Sequence, residues 1–64
     1  MTNDRKYIVV RVDESPVWFS GYESGQTTVT KNRDKAITLT LNEARNAVQD
    51  LKSERNGVWG IWNA

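Results

Sequence analysis

The side chains that most often carry chemistry at neutral pH are missing from this chain of 64 residues. It contains no His and no Cys, which removes imidazole bases, thiolate nucleophiles, disulfides and the usual ligands of zinc and iron–sulfur clusters. Serines are present, but a hydrolase triad needs a His partner. Carboxylates are the remaining candidates for acid–base or metal chemistry.

The adjacent carboxylates Asp13 and Glu14 precede Pro16 in a segment typical of a turn. Their side chains are expected to diverge into solvent, whereas acid–base catalysis needs two carboxylates held across a cleft with separated pKa values. No segment has the alternating acidic spacing of a calcium loop. Gly21 and Gly25 are not followed by the Lys and hydroxyl residue of a phosphate-binding loop. We therefore predict no enzymatic activity, no cofactor and no metal.

Aromatic side chains are the strongest functional signal that remains. The chain has three Trp, two Tyr and one Phe, and Trp and Tyr, with Arg, dominate the energetics of binding surfaces. What these side chains can do depends on the strands that carry them.

Two strands joined by a polar turn are expected at the start of the chain. Residues 6–12 are rich in β-branched side chains, residues 13–16 form the turn, and residues 17–22 form the second strand. This order predicts an antiparallel hairpin. Gly21 is expected to mark a bulge or a close approach of the backbone. The two-residue period of a strand places one set of apolar side chains on a common face: Ile8, Val10 and Val12.

The middle of the chain leaves several structures open. Residues 27–30 have the composition of a short strand, residues 31–35 that of a polar turn, and residues 36–39 alternate again. One strand, two strands or an irregular edge are all compatible with this pattern.

A helix of about 14 residues is expected next, because residues 40–43 (Thr-Leu-Asn-Glu) form a capping box at its start. Arg55 is expected in the last turn, with its charge near the negative helix end. Gly57 has the residue type that closes helices in the left-handed conformation. Residues 58–62 are too short and bulky for anything but a strand. The apolar stripe of the helix consists of Leu41, Ala44, Val48 and Leu51, with Ala47 beside it.

These elements predict an α+β fold: an antiparallel three- to four-stranded sheet with one helix packed on one face, in the order β-β-(β)-α-β. Length allows a single domain, residues 1–64, with residues 1–5 disordered. From Met1 we expect a complete small reading frame. The predicted core consists of Ile8, Val10, Val12, Val17, Phe19, Ile37, Leu39, Leu41, Ala44, Val48, Leu51, Trp59 and Ile61.

With Ile8 and Val10 facing the helix, the opposite sheet face forms a predicted interaction surface. A slip of one residue in the second strand would exchange Trp18 for Phe19. Alternatively, residues 23–35 fold back and cover this face. The predicted interaction residues are Tyr7, Arg11, Trp18, Tyr22 and Trp62, and Val9 is expected on the same face.

Sheet aromatics also stack on bases in several proteins that bind single strands. The net charge is only +1, however, and acidic residues interrupt every group of basic ones, so the expected basic footprint is missing. The longest apolar runs have three residues, which predicts no membrane span.

Three segments resemble very small accessory proteins encoded by phages and prophages of Gram-positive bacteria. These are residues 7–10 (Tyr-Ile-Val-Val), residues 18–22 (Trp-Phe-Ser-Gly-Tyr), and residues 34–39 (Asp-Lys-Ala-Ile-Thr-Leu) running into Glu43-Ala44. The resemblance implies a β-β-α-β order, a bacterial cytoplasmic setting and a role by binding, and it transfers no catalytic residue.

We therefore predict a non-enzymatic protein-interaction module that binds or modulates a host protein through the aromatic sheet face. Homodimerisation through that face is a close variant, because pairing two sheets would enlarge a small core. The alternative is a weak single-stranded nucleic-acid-binding protein.

Overall fold

The structure, a computed structural model, describes residues 5–64. Of the five residues for which we predict disorder, the first four lie outside the described residues. The elements follow one another as strand β1 (Tyr7–Arg11), strand β2 (Trp18–Glu23), strand β3 (Gln26–Thr30), a 3₁₀ turn (Arg33–Lys35), helix α1 (Leu41–Glu54) and strand β4 (Trp59–Asn63). The predicted α+β class and element order are confirmed.

The four strands form one antiparallel sheet in the order β3-β2-β1-β4. The predicted hairpin of β1 and β2 is present, and β4 returns beside β1 after the helix. Because β1 lies between β2 and β4, the two sheet edges are β3 and β4. Helix α1 covers one face of this sheet and packs on it through Ala44, Ala47 and Leu51.

Both halves of the predicted capping box are formed at the start of α1. The N–H of Glu43 donates to Thr40 Oγ1 over 3.3 Å, and the N–H of Thr40 donates to Glu43 Oε1 over 3.0 Å. The second bond favours the ionised carboxylate, so it lowers the pKa of Glu43. These bonds satisfy backbone donors that the first helical turn leaves without partners.

The prediction that Gly57 closes the helix is wrong. Helix α1 ends at Glu54, and its C-cap, Arg55, is already extended, with φ −135° and ψ 145°. Gly57 has φ +132° and serves a close approach instead. A Cβ atom on it would lie 2.6 Å from Cδ of Arg11. Glycine is therefore needed here because the side chains of Arg11 and Asp13 lie close to the backbone, and not because the helix ends at this position.

The pairing of β2 with β3 shifts register between Phe19 and Gly21, which confirms the bulge predicted at the glycine.

Residues 37–39 fill the gap where β1 and β2 diverge. Tyr7 and Leu39 exchange two backbone hydrogen bonds of 2.9 and 2.8 Å, and the N–H of Ile37 donates to the carbonyl of Phe19. The segment is therefore an irregular bridge between two strands.

The face of β1 that meets the helix is the opposite of the predicted one. Val9 is fully buried in the cluster with the helix residues, and Tyr7 packs against that cluster. Ile8 and Val10 point to the other face, where they are nevertheless buried. Both faces of this strand are apolar, so its alternation could not identify the helix side.

Most of the remaining predicted core is observed. The cluster under the helix contains Val9, Val17, Phe19, Ala44, Ala47, Leu51 and Trp59, with Ile37, Leu39, Val48 and Ile61 packed partly buried against it. Val12 and Leu41, which we predict in the core, are exposed. Val12 follows β1 on the helix-free face, with Ile8 and Val10, and Leu41 is the first residue of α1. Within residues 5–64, no helix has the length and hydropathy needed to cross a membrane.

Candidate interaction surface

The five predicted interaction residues are divided between the two faces of the sheet. Tyr7, Arg11 and Tyr22 lie on the helix side, and Trp18 and Trp62 lie on the other side. The cross-strand pairs show the division, because residues directly opposite each other share a face. Trp18 pairs with Val10 and Trp62 pairs with Ile8, and neither Val10 nor Ile8 belongs to the cluster under the helix.

Tyr22 is bound to the helix. Its hydroxyl donates to Asp50 Oδ2 over 2.6 Å, and its ring stands edge-on to Phe19 with 5.2 Å between centroids. The hydrogen bond to Asp50, desolvation and the negative charges of Asp50 and Glu54 raise the pKa of Tyr22 to about 12. The placement of Tyr22 on the helix-free face was therefore wrong. The bulge at Gly21 shifts the alternation of β2 by one residue, so Phe19 and Tyr22 share a face.

Arg11 is held at the closed end of the hairpin. Its Nη2 atom lies 3.2 Å from Glu14 Oε2, and its Nε atom lies 3.7 Å from Asp13 Oδ1. The aliphatic part of the side chain passes next to Gly57. The turn carboxylates, which we predict in solvent, therefore neutralise this cation, and Arg11 is withdrawn from the aromatic face.

An exposed apolar patch lies on the helix-free face where β1 meets β4. We call Val12, Trp18, Val58 and Trp62 the free-face patch. Val12, Val58 and Trp62 are 47%, 56% and 48% exposed, and the N–H of Val12 donates to the carbonyl of Val58 over 2.9 Å. A Cβ atom on Gly60 would lie 3.5 Å from Trp62 Nε1 and 3.6 Å from Val12 Cγ1. Both side chains therefore lean over the glycine.

Trp18 forms the inner border of this patch. It is half-buried. On the helix-free face it lies between Val10 of β1 and Thr30 of β3, and Gly60 of β4 lies on the other side of Val10. Its indole N–H is buried and has no hydrogen-bond partner within the described part of the chain. Trp18 therefore contributes apolar ring surface to the patch rather than a polar contact.

Beside the buried Ile8 and Val10, the β2–β3 side of the helix-free face is polar and uncharged. Ser20 and Thr28 join their hydroxyl groups over 2.8 Å, and Thr28 also donates to the carbonyl of Gly21. Of residues 23–35, which the alternative places over the aromatics, residues 26–30 form edge strand β3, and Arg33 and Asp34 line a cavity with Ile8. Trp62 stays half-exposed at the far edge. Apolar surface is therefore concentrated on the β1–β4 side.

Two members of the patch were missed in the sequence. We predict Val12 in the core and give Val58 no role, because both faces of β1 are apolar and its helix side is assigned wrongly. With the helix side reversed, Val12 falls on the helix-free face with Ile8 and Val10, and Val58 lies beside it just before β4.

Among residues 5–64, no three acidic side chains cluster closely enough to hold a metal ion. Protein-family models, curated proteins and solved structures were each compared with the chain, and none of them matched. The case for a function therefore depends on the surface itself.

Proposed function

We propose that this protein is a non-enzymatic interaction module that binds a partner protein through the free-face patch. The observation that supports this proposal is the contiguous exposure of Val12, Val58 and Trp62 beside Trp18. Contiguous apolar patches rimmed by polar residues commonly mark contact surfaces on small proteins. A Trp in such a patch is a typical anchor for binding.

The chemistry of the patch favours an apolar protein surface as the partner. None of its four members is charged, and the neighbouring hydroxyls of Ser20 and Thr28 already bond to each other. Following the resemblance to phage and prophage accessory proteins, we propose that the partner is a host protein in a bacterial cytoplasm.

Single-stranded nucleic acid is the second candidate partner. The position of Arg11 favours a protein partner over it. The guanidinium that would contact phosphate lies on the helix side and is paired with Glu14. Phosphate contacts make binding fall steeply as salt rises, whereas apolar contacts do not. Titrating an oligonucleotide of mixed sequence at two salt concentrations tests this candidate directly. Tight, salt-sensitive binding would favour it over the protein partner.

The test of the protein partner uses three immobilised baits: the unaltered chain, Trp62→Glu and Leu41→Glu. Leu41 is also an exposed apolar residue, 38% exposed, but it lies at the start of α1, where a carboxylate is well tolerated. We expect a specific partner from a Gram-positive lysate to be retained by the unaltered chain and by Leu41→Glu and lost by Trp62→Glu. The same captured proteins on all three baits would contradict the proposal.

A further inference from the structure

The outer edge of β4 presents backbone groups that the fold does not use. Val12 donates to the carbonyl of Val58, and Ala64 donates to the carbonyl of Lys6, so the even-numbered residues of this strand face β1. In an antiparallel ladder the residues between them point the other way. The N–H and C=O groups of Trp59, Ile61 and Asn63 therefore point outward, and no hydrogen bond from the described part of the chain reaches them.

The opposite edge of the sheet is closed by the end of the helix. The N–H of Thr27 in β3 donates to Glu54 Oε1 over 2.9 Å, and its carbonyl accepts from Arg55 Nη2 over 3.0 Å. Thr27 Oγ1 also donates to the same carboxylate oxygen. The side chains of Glu54 and Arg55 thus occupy both outward backbone groups of Thr27, which hinders another strand from pairing at this position of β3.

Strand β4 lacks the two residue classes that often protect a sheet edge. Residues 58–63 (Val-Trp-Gly-Ile-Trp-Asn) include no charged residue and no proline. The net charge of the chain is only +1, so repulsion between two copies is weak. The β3 edge is therefore blocked at Thr27, whereas the described part of the chain leaves the outer edge of β4 open, and residues 58–63 are uncharged.

We propose that β4 pairs antiparallel with β4 of a second copy, across a two-fold axis at Ile61. This register brings Ile61 opposite its twin and Trp59 opposite Asn63 of the other copy. It is the symmetric register in which all three outward-facing residues exchange both backbone hydrogen bonds. The two sheets then become one continuous eight-stranded sheet, since each contributes its four strands.

The side chains at this axis complement themselves. On the helix-free face, Gly60 lies opposite Trp62 of the other copy. Each Trp62 leans over the Gly60 of its own strand, so the two indoles lie on the same face of the joined sheet, one on either side of the axis. On the helix face, two half-buried Ile61 side chains come into contact. A strand from an unrelated protein would have no such built-in match.

The first test removes one outward donor while keeping every side chain. A chain of 64 residues can be made by chemical synthesis, with a methyl group on the backbone nitrogen of Ile61. The control carries the methyl on Val29, whose N–H points outward from β3 because Thr27, two residues earlier, does so. Circular dichroism checks that both variants fold.

Sedimentation from low to high micromolar concentration then measures self-association. We expect the unaltered chain and the Val29 variant to shift from one copy to two, and the Ile61 variant to dissociate on the order of tenfold more easily, since two backbone bonds are lost. A monomer at every concentration, or equal weakening by both methyl groups, would overturn the proposal and leave the edge to a strand of another protein.

The second test reads the register. Paired residues in a hydrogen-bonded position have Cα atoms about 5.5 Å apart, which suits a disulfide. The chain has no cysteine, so Ile61→Cys can cross-link only to its twin. Under mild oxidation we expect rapid cross-linking of Ile61→Cys and slow cross-linking of Asn63→Cys, and the reverse order would overturn the two-fold axis at Ile61.

This inference concerns the strand edge and does not rest on the proposed function. Trp18 lies two strands away from β4, so Trp18→Ala tests the sheet face without touching the edge. Loss of partner binding in that variant with an unchanged monomer–dimer equilibrium would separate the two.

Discussion

Tyr22 illustrates how one hydrogen bond decides the role of an exposed aromatic side chain. The residue is 52% exposed, yet its hydroxyl is held by Asp50 and its ring rests edge-on against Phe19. Trp62 is exposed to a similar extent but has no comparable polar partner in the described part of the chain. Exposure alone therefore does not distinguish a residue that ties the sheet to the helix from one that is available for binding.

The phenol of Tyr22 is expected to ionise near pH 12 rather than near pH 10. The folded pKa lies above the unfolded one, so the stability that this bond contributes is complete below pH 10 and is lost as pH rises through 12. The measurement is the ultraviolet absorbance of tyrosinate in a Tyr7→Phe background, where one phenol titrates.

Replacing Asp50 by Asn in the same background is the control. It removes the negative charge, so the pKa of Tyr22 should return toward 10. An unchanged titration would show that the hydrogen bond to Asp50 is not the cause of the shift.

At the scale of elements, helix α1 is attached differently at its two ends. Its start is closed by a local device, the capping box between Thr40 and Glu43. Its end is bonded to a distant strand, because Glu54 and Arg55 both bind Thr27. The first device stabilises the helix itself, and the second also protects the edge of β3.

Thr40→Ala is expected to lower the free energy of unfolding by about 1 kcal/mol, the usual loss for a Ser or Thr N-cap. Urea unfolding followed by circular dichroism measures this change. Thr40→Ser keeps the hydroxyl that accepts from Glu43 and should restore most of the loss. Equal stability of the two variants would show that the cap contributes little.

The double change Glu54→Ala/Arg55→Ala is expected to open the edge of β3. Thr27 is buried, and leaving its polar groups without partners should cost about 1–3 kcal/mol. With both sheet edges open, copies can add at either side, so light scattering should show faster aggregation.

The matched control, Asp34→Ala/Lys35→Ala, also removes one acid and one base, from an exposed turn. It should behave like the unaltered chain. Aggregation at the same rate in both double variants would contradict a protective role of the helix end.

At the scale of the whole molecule, a small core serves both sheet faces. The main cluster joins α1 to the sheet around Phe19, while Ile8 and Val10 are buried on the helix-free face without a covering helix. Domains of this size rarely gain more than about 3–5 kcal/mol from a single core. Within residues 5–64, no second layer covers the free-face patch.

Phe19→Ala is expected to cost about 3–5 kcal/mol and hence to leave much of the protein unfolded, because Phe19 is fully buried at the centre of the cluster. Val12→Ala, in the free-face patch, should change stability by no more than about 0.5 kcal/mol. Thermal unfolding compares the two. A large loss in Val12→Ala would show that the patch is part of the core.

Local sequence chemistry is sufficient to predict the hairpin, the bulge at Gly21, the capped 14-residue helix and hence the α+β class. Each of these elements follows from residue types within a few positions of one another, and composition alone excludes His and Cys chemistry. Strand alternation also predicts Trp18 and Trp62 on the helix-free face.

The face of β1 that meets the helix depends on tertiary packing, since Ile8, Val9 and Val10 make both sides of the strand apolar. The tertiary structure also showed that Asp50 binds Tyr22 and that Glu54 closes the edge of β3. These contacts join residues 27 or 28 positions apart, and strand periodicity contains no information about such distances. Which sheet edge stays open is likewise a property of the assembled sheet, because an edge exists only once the strands have taken their order.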